Sequence, residues 1–391
     1  MAYSLNPTDS QCYPGTTVLI NKLNIRSQKR LSEVETLMVN AKTIEFELRQ
    51  YRTKISAEPK MCYNVIMDKQ MSLSAFNDEL AQVRTKKKEF LAQIERLIPW
   101  GEWVSLIQPC YYKGERGNKP YALELMLRIY LLQNLYDLSD EGTVAEVIDS
   151  RAFSEFCGVD SSNQVPNGDT LGRFRNLLIR HGLQEKLFSQ VVTMLMERGL
   201  ILKKGTIVDS TIISAPSSTK NKEKKRDPDA CQTKKGKNWH FGYKAHIGVD
   251  RESGIVHTVK TTAANVHDVS MTPELLHGEE ETVHGDSGYL GAEKRDDAIV
   301  TNTAKKRIKY IINRRPSQSK HKSNRSKGQI KRREREKSSV RAKVEHVFGV
   351  VKGQLKFKKT RYRGLRKQEA KLNIMFALAN LILADRPCLA A

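Results

Sequence analysis

The chain has 391 residues, of which 39% are hydrophobic and 28% charged, and its formal net charge is +23. This length allows two domains or one large domain with a substantial core. No run approaches the roughly 20 apolar residues that span a membrane, and the start MAYSLNPTDSQ lacks a signal-peptide pattern, so we expect a cytoplasmic protein.

The first 70 residues differ from the rest of the chain. Spaced apolar residues in NKLNIRSQKRLSEVETLMVNAKTIEFELRQY predict one or two helices, and the pattern is lost over residues 51–70. We therefore predict an extension over residues 1–70, followed by a new domain that starts near Met71.

Residues 71–204 predict an all-helical region. The apolar residues of KPYALELMLRIYLLQNLYDLSD are too dense for an exposed helix. In NQVPNGDTLGRFRNLLIRHG, either Asp169 or Thr170 is expected to cap the start of a helix, and Gly182 suits its end.

The same short helix carries Arg173, Arg175 and Arg180. Three arginines on one helix suit the groove of double-stranded DNA, and they equally suit a solvated helix face. The residues alone leave both interpretations open.

From Gly205 the pattern changes to strands. Antiparallel strands come first and later strands alternate with helices, which predicts an α/β domain with one mixed sheet and helices on its faces. Trp239 is expected to pack over the sheet edge, and the Lys-rich stretch between Ile213 and His240 predicts a flexible basic loop. The strand segments are GTIVDSTII, YKAHIGVD, GIVHTVKTTAA, TVHGDSGYLG and IKYIINRR; the helical ones are AEKRDDAIV, RAKVEHVFGVVK and KLNIMFALANLILAD.

Positive charge is concentrated between Lys305 and Lys337. Fifteen Lys and Arg stand there against two Glu, a net of +13 and over half of the total. Such a cluster is suited to neutralising phosphates, which indicates a nucleic-acid partner.

Two acids lie on the predicted strands. Asp209 stands among β-branched residues in TIVDSTII, where an acid is disfavoured unless a function requires it. Asp286 stands where the strand of ETVHGDSGYLG ends and a turn begins. Ligands of open α/β sheets bind outside the carboxyl ends of strands, so the two acids could converge there.

Glu345 is the third acid, on a predicted helix. At about 100° per residue, Arg341 and Lys352 fall on the same stripe as Glu345. Val344, Phe348 and Val351 form an adjacent stripe that can pack on the sheet. Glu345 could therefore meet Asp209 and Asp286 at the edge of that contact.

Three carboxylates around one point repel one another unless cations lie between them. Oxygen ligands suit Mg²⁺ or Mn²⁺, and two such ions can activate a nucleophile and stabilise the leaving oxygen of a phosphodiester. Arg341 and Lys352 would then hold DNA phosphates. A single Asp in a strand is also a common hydrogen-bonded residue, and Glu345 alone could simply pair with Arg341.

Several long stretches now point to a family. From about Met71 onward the chain resembles the DDE transposases of bacterial insertion sequences, of the insertion-sequence-five type. The stretches that carry the resemblance are IPWGEWV, KPYALELMLRIYLLQNLYDLSD, GTIVDSTIISAPSSTKNKEKKRDP, WHFGYKAHIGVD, TTAANVHD, GDSGYLGA, SSVRAKVEHVFGVVK and RYRGLRKQEAKLN.

The resemblance implies an RNase H-like catalytic domain over residues 205–391, with a mixed five-stranded sheet flanked by helices. It implies that Asp209, Asp286 and Glu345 are the catalytic acids and that they bind two ions of Mg²⁺ or Mn²⁺. The family signature Y-x2-R-x3-E-x6-K matches at Arg341, Glu345 and Lys352, whereas Ser338 stands at the tyrosine position.

The same resemblance implies the function. The helical region 71–204 would bind the terminal inverted repeats, and the catalytic domain would cut the DNA ends and join the 3′-OH to target DNA. The protein would work as a homo-oligomer on paired ends, in a bacterial cytoplasm and associated with the nucleoid. The expected DNA-binding residues are Arg173, Arg175, Arg180, Tyr289, Arg314, Arg315, Lys331 and Arg332.

The first fifty residues resemble the start of Fic-family nucleotidyl-transfer proteins. The stretch concerned is CYPGTTVLINKLNIRSQKRLSEVETLMVNAKTIEFE, and the Fic motif HPFxxGNxR is absent from the chain, so no Fic activity is inferred. The alternative function for the whole chain is a catalytically inactive, sequence-specific DNA-binding protein, as in a decayed transposase copy.

Overall fold

The structure is a computed structural model that describes residues 83–114, 119–220, 224–315 and 324–386. The predicted extension over residues 1–70, with its Fic-like segment, lies outside the described residues. Residues 84–391 form one compact unit. In the described stretches, no helix is both long enough and apolar enough to cross a membrane.

The described chain before Gly205 is helical, as the sequence predicts. Its helices bury residues at helical spacing, for example Leu91 and Ile94 on the first and Leu171, Phe174 and Leu178 on the sixth. They are α1 (Lys86–Leu97), α2 (Trp100–Ile107), α3 (Leu123–Leu135), α4 (Asp140–Asp149), α5 (Arg151–Cys157), α6 (Gly168–Arg180) and α7 (Leu183–Glu197).

Helix α6 begins two or three residues earlier than the sequence predicts. Its cap is Asn167, whose extended backbone lets the side-chain oxygen accept a 2.9 Å hydrogen bond from Thr170 N. The prediction of Asp169 or Thr170 as the cap is wrong, because both already lie in the first turn. The predicted end is confirmed, since Gly182 adopts φ +61° just past it.

The sheet has six strands among the described residues. They are β1 (Gly205–Ser214), β2 (Cys231–Lys235), β3 (Asn238–Asp250), β4 (Val256–Ala263), β5 (Thr282–Gly285) and β6 (Lys309–Ile312). The order is β2-β3-β1-β5-β6, and β4 also pairs with β3. Strands β1, β3 and β4 are antiparallel, whereas β5 and β6 run parallel to β1, which is consistent with an RNase H-like sheet.

The prediction of five strands is wrong by one, because β2 arises inside the predicted basic loop. Residues Cys231–Lys235 pair with Asn238–Gly242, and Gly236 takes φ +61° in the turn between them. Trp239 on this hairpin does not pack over the sheet edge: it is 67% exposed, and Lys234 Nζ lies 5.7 Å from its ring centroid.

The helix predicted for AEKRDDAIV is also wrong. Only Ala292–Lys294 form a short 3₁₀ turn, and the following residues are turns and irregular chain. The acidic and basic side chains of this segment are mostly exposed, so the segment presents no continuous apolar face to pack as a helix.

The described residues after Gly205 contain three further α-helices: α8 (Thr272–Leu275), α9 (Asn324–Gly349) and α10 (Leu365–Ala384). One hydrophobic cluster contains residues of the early helices, of one sheet face, of α9 and of α10. Helix α10 is buried as predicted, and Asn380 on it bonds both Val256 N and Val256 O at the start of β4. The helical region and the sheet thus share one core.

Arg175 ties α6 to two distant parts of this unit. Its guanidinium makes a bidentate contact with Asp140, lies 4.0 Å over the Tyr362 ring centroid and donates to the Tyr362 hydroxyl. Burial raises the pKa of Asp140, but hydrogen bonds from Arg175 and Gln133 and the Arg175 charge bring it below the usual value. The Arg175 side chain is only 12% exposed.

We predict that Arg175→Met lowers the free energy of unfolding by about 3 kcal/mol at neutral pH, since it leaves a partly buried carboxylate without its partner. Because the pKa of Asp140 is depressed in the fold, this stabilisation is present above the ordinary carboxyl pKa and is lost as the pH falls through the folded value. Urea unfolding at pH 7 and pH 3 measures it.

Arg173→Met is the matched control, because Arg173 is exposed on the same helix. It should change the unfolding free energy by no more than about 0.5 kcal/mol. Equal effects of the two substitutions would contradict a structural role for Arg175.

Candidate active site

Strands β1 and β5 separate at the point where the two strand-borne acids lie. They pair only over Gly205–Ile207 and Thr282–His284, and β5 ends at Gly285. Asp209 therefore lies just beyond the paired stretch of β1, and Asp286 follows directly after β5. Because the strands are parallel, both acids occupy the same edge of the sheet.

Asp209 is a largely buried carboxylate with partners on both oxygens. Its side chain is 14% exposed, Oδ1 accepts a 2.7 Å hydrogen bond from Ser210 N, and Oδ2 lies 3.6 Å from Arg341 Nη2. Burial raises the pKa of Asp209 to about 6, and the charges of Asp286 and Glu345 add to the rise, whereas the Ser210 hydrogen bond and the Arg341 charge oppose it.

Asp286 caps the short 3₁₀ turn Ser287–Tyr289. Its Oδ1 accepts a 2.8 Å hydrogen bond from Gly288 N, which fixes the carboxylate against the turn. A side chain at Gly288 would place its Cβ 2.9 Å from that oxygen, so the close approach depends on the glycine.

Glu345 lies on α9, as the sequence predicts. Val344, Phe348 and Val351 are buried, and Glu345 is exposed beside this packed face. Its charge is one of those that raise the pKa of Asp209, so the helix brings the third acid into the surroundings of the first.

Lys352 lies in a π-helical turn, Val350–Gln354, that continues α9. Its Nζ donates a 2.9 Å hydrogen bond to Ile212 O on β1. Burial lowers the pKa of Lys352, and the nearby charges of Lys235 and Lys358 lower it further. The two basic residues of the signature thus contact β1 on either side of Ser210: Arg341 at Asp209 and Lys352 at Ile212.

These residues suit a divalent cation by their chemistry. In the described parts of the chain, no group of three or more His, Cys, Asp or Glu side chains is gathered closely enough to hold a metal ion. The acids are instead charge neighbours whose mutual repulsion disfavours the ionised form of Asp209. Added positive charge between such oxygen donors relieves that repulsion.

The predicted DNA-binding residues divide into two groups. Arg175 is engaged with Asp140, and Tyr289 is 1% exposed, so neither side chain is accessible in this conformation. The remaining ones are exposed on α6, after β6 and on α9: Arg173, Arg180, Arg314, Arg315, Lys331 and Arg332.

The sequence reasoning missed a set of polar residues beside the acids. Asp268 Oδ1 accepts a 2.8 Å hydrogen bond from Ser210 Oγ and lies 3.1 Å from Lys244 Nζ. His246 is fully buried, with Nδ1 3.7 Å from the same oxygen. The signal in the sequence was the acid of TTAANVHD, together with two polar residues spaced by two in the strand YKAHIGVD.

Two family models match the chain. A model described as transposase DDE domain matches residues 201–381, and one described as transposase domain (DUF772) matches residues 78–177. Together they span most of the chain and include every acid of the site. No solved structure matches the chain.

We predict that Asp209→Asn raises the stability of the metal-free protein at neutral pH, by about 2 kcal/mol. The folded pKa of Asp209 is raised, so its ionisation destabilises the fold as the pH rises through about 6. The gain should disappear near pH 4, where the parent carboxyl is also neutral in the fold. Thermal unfolding with a chelator from pH 4 to pH 8 measures it, and a gain that is independent of pH would contradict the assignment.

Proposed function

Because the chain belongs to the DDE transposases of insertion sequences, we propose that it binds the terminal inverted repeats of its element, cleaves the DNA ends and joins the 3′-OH to target DNA. The observation that supports this best is the environment of Asp209. A buried acid on the central strand has two other acids as charge neighbours and Arg341 at 3.6 Å.

In this proposal Asp209, Asp286 and Glu345 hold divalent cations, Mg²⁺ or Mn²⁺ and two in number. When bound, such ions lower the pKa of a water molecule and neutralise charge on the scissile phosphate. Asp209 provides an oxygen donor that is largely shielded from water, and a positive charge nearby stabilises its ionised form. Glu345, on the exposed side of α9, can adjust its side chain without disturbing the buried valine face.

Two reactions of the same kind follow at this site. In the first, a water oxygen bonds to the phosphorus at the element end, the bond from phosphorus to the 3′ oxygen breaks, and the strand leaves as a 3′-OH. In the second, that 3′ oxygen bonds to a target phosphorus and displaces the target's own 3′ oxygen. Arg341 and Lys352 would hold the phosphates, since the guanidinium and the ammonium groups both lie along β1.

A basic surface next to α9 would carry the DNA. Glu334 Oε2 accepts hydrogen bonds from Arg314 N and from Asn313 Nδ2, which ties the end of β6 to α9. This tie holds Arg314 beside α9, the helix that also carries Lys331 and Arg332. Arg173 and Arg180 would contact the inverted repeats, and the protein would act as a homo-oligomer on paired ends.

We predict that Glu345→Gln abolishes nicking of a labelled duplex that carries the element end, in the presence of Mg²⁺. Loss of a direct cation ligand should exceed the roughly 100-fold loss that is typical of outer-shell partners. Glu336→Gln is the control, since Glu336 is exposed on the same helix. If parent and variant both bind the end and neither nicks it, the inactive DNA-binding alternative is favoured instead.

We predict that Lys331→Ala and Arg314→Ala weaken binding to the element end and to unrelated DNA alike. The plot of log affinity against log salt concentration falls with a negative slope. Each substitution should make that slope less steep by about 1, since each removes one phosphate contact. Arg295→Ala, an exposed arginine that is paired with Asp297, is the matched control and should leave the slope unchanged. An unchanged slope for a variant that carries both Lys331→Ala and Arg314→Ala would exclude this surface as the DNA-binding surface.

A further inference from the structure

A fourth carboxylate, Asp268, lies beside Asp209 and Asp286. It begins the 3₁₀ turn Asp268–Met271 that follows β4, and its side chain is 27% exposed. Ser210 Oγ and Lys244 Nζ both contact its Oδ1, at 2.8 and 3.1 Å. Since Ser210 also donates its backbone N–H to Asp209, Asp268 is two hydrogen bonds away from the first acid.

The second oxygen of Asp268 lies near Asp286. A Cβ at Gly288 would lie 3.7 Å from Asp268 Oδ2 and 2.9 Å from Asp286 Oδ1. The two carboxylate oxygens are therefore no farther apart than the sum of those distances. Two carboxylate oxygens can be bridged by a cation that binds the first oxygen and a water ligand that donates to the second. The two oxygens are then up to about 7 Å apart, from cation–oxygen distances of about 2.1 Å and a hydrogen bond of about 2.7 Å.

Buried Tyr289 is a neighbour of the same carboxylates. Burial raises the pKa of its hydroxyl well above the usual value, and the charges of Asp268, Asp209 and Asp286 raise it further. Asp268 therefore acts on the Tyr289 hydroxyl together with Asp209 and Asp286.

Lys244 supplies the charge that balances Asp268. Its ammonium is 11% exposed and also donates a 2.7 Å hydrogen bond to Val266 O. His246 adds no charge at neutral pH, because burial lowers its pKa to about 4. The contact with Lys244 uses one oxygen of Asp268, and the other oxygen lies near Asp286.

We propose that Asp268 is a positioning residue of this site, an outer-shell carboxylate that accepts hydrogen bonds from water bound to the cation of Asp286. This inference rests on the proposed function, because it requires a cation at the acids. Outer-shell partners of this kind orient the bound ion and its water, and their loss costs about 10- to 100-fold in metal affinity or activity.

The test is titration of the DNA-free protein with Mn²⁺, with free Mn²⁺ followed by electron paramagnetic resonance. Asp268→Asn should weaken Mn²⁺ binding by about 10- to 100-fold. Lys244→Gln should act in the opposite direction and tighten it, because the charge of Asp268 is then unbalanced. Ser210→Ala should weaken binding less than Asp268→Asn does, and Ser210→Thr should restore it by keeping the hydroxyl.

Nicking of the element end provides the second readout. Asp268→Asn should need a higher Mg²⁺ concentration for half-maximal rate, and it should bind the end as the parent does when no metal is present. Glu274→Gln, which removes an exposed carboxylate from the following helix, is the matched control and should behave as the parent.

Three outcomes would overturn the inference, and they are distinguishable. Parent-like Mn²⁺ affinity in Asp268→Asn, with loss of nicking in Glu345→Gln, would overturn it and leave the proposed function intact. Weaker binding in both Asp268→Asn and Lys244→Gln, together with lower thermal midpoints, would indicate a purely structural pair. A parent protein that neither binds Mn²⁺ nor nicks DNA would overturn this inference and the proposed function together.

Discussion

The active site is arranged around a negative charge at a desolvated point of the central strand. Asp209 lies where β1 has lost its partner β5, and burial and two like charges oppose its ionisation. Two cationic side chains lie near that charge. Arg341 reaches Asp209 from α9, and Lys352 contacts the same strand three residues later. A fold that kept this acid without a use for it would carry a cost at neutral pH and gain nothing.

The sequence predicted what depends on local periodicity and on strand ends. The alternation of TIVDSTII put Asp209 on a strand, the turn after β5 located Asp286, and the helical stripe of α9 separated buried Val344 from exposed Glu345. The mixed sheet also followed, since antiparallel and helix-connected strands differ in their linkers. The roles of these acids remain predictions for experiment.

Features that depend on distant partners could not be predicted in this way. Arg173 and Arg175 are equivalent in the sequence pattern, yet Arg175 meets Asp140 and Tyr362, which are 35 and 187 residues away. The hairpin strand β2 was hidden because it lies in a lysine-rich stretch of the chain, whereas its pairing depends on β3 and on Gly236. Asp268 was missed because its contacts, Ser210 and Lys244, come from two other strands.

The hairpin of β2 and β3 has a spectroscopic consequence. The chain has three tryptophans: Trp103 is fully buried in the core, Trp100 is half-buried, and Trp239 is 67% exposed next to Lys234. Water-exposed indole emits at longer wavelength and is open to collisional quenchers, whereas Trp103 is shielded from both effects. The red edge of the intrinsic fluorescence therefore reports on the hairpin while the blue edge reports on the core, and the protein carries an optical reporter of each without any label.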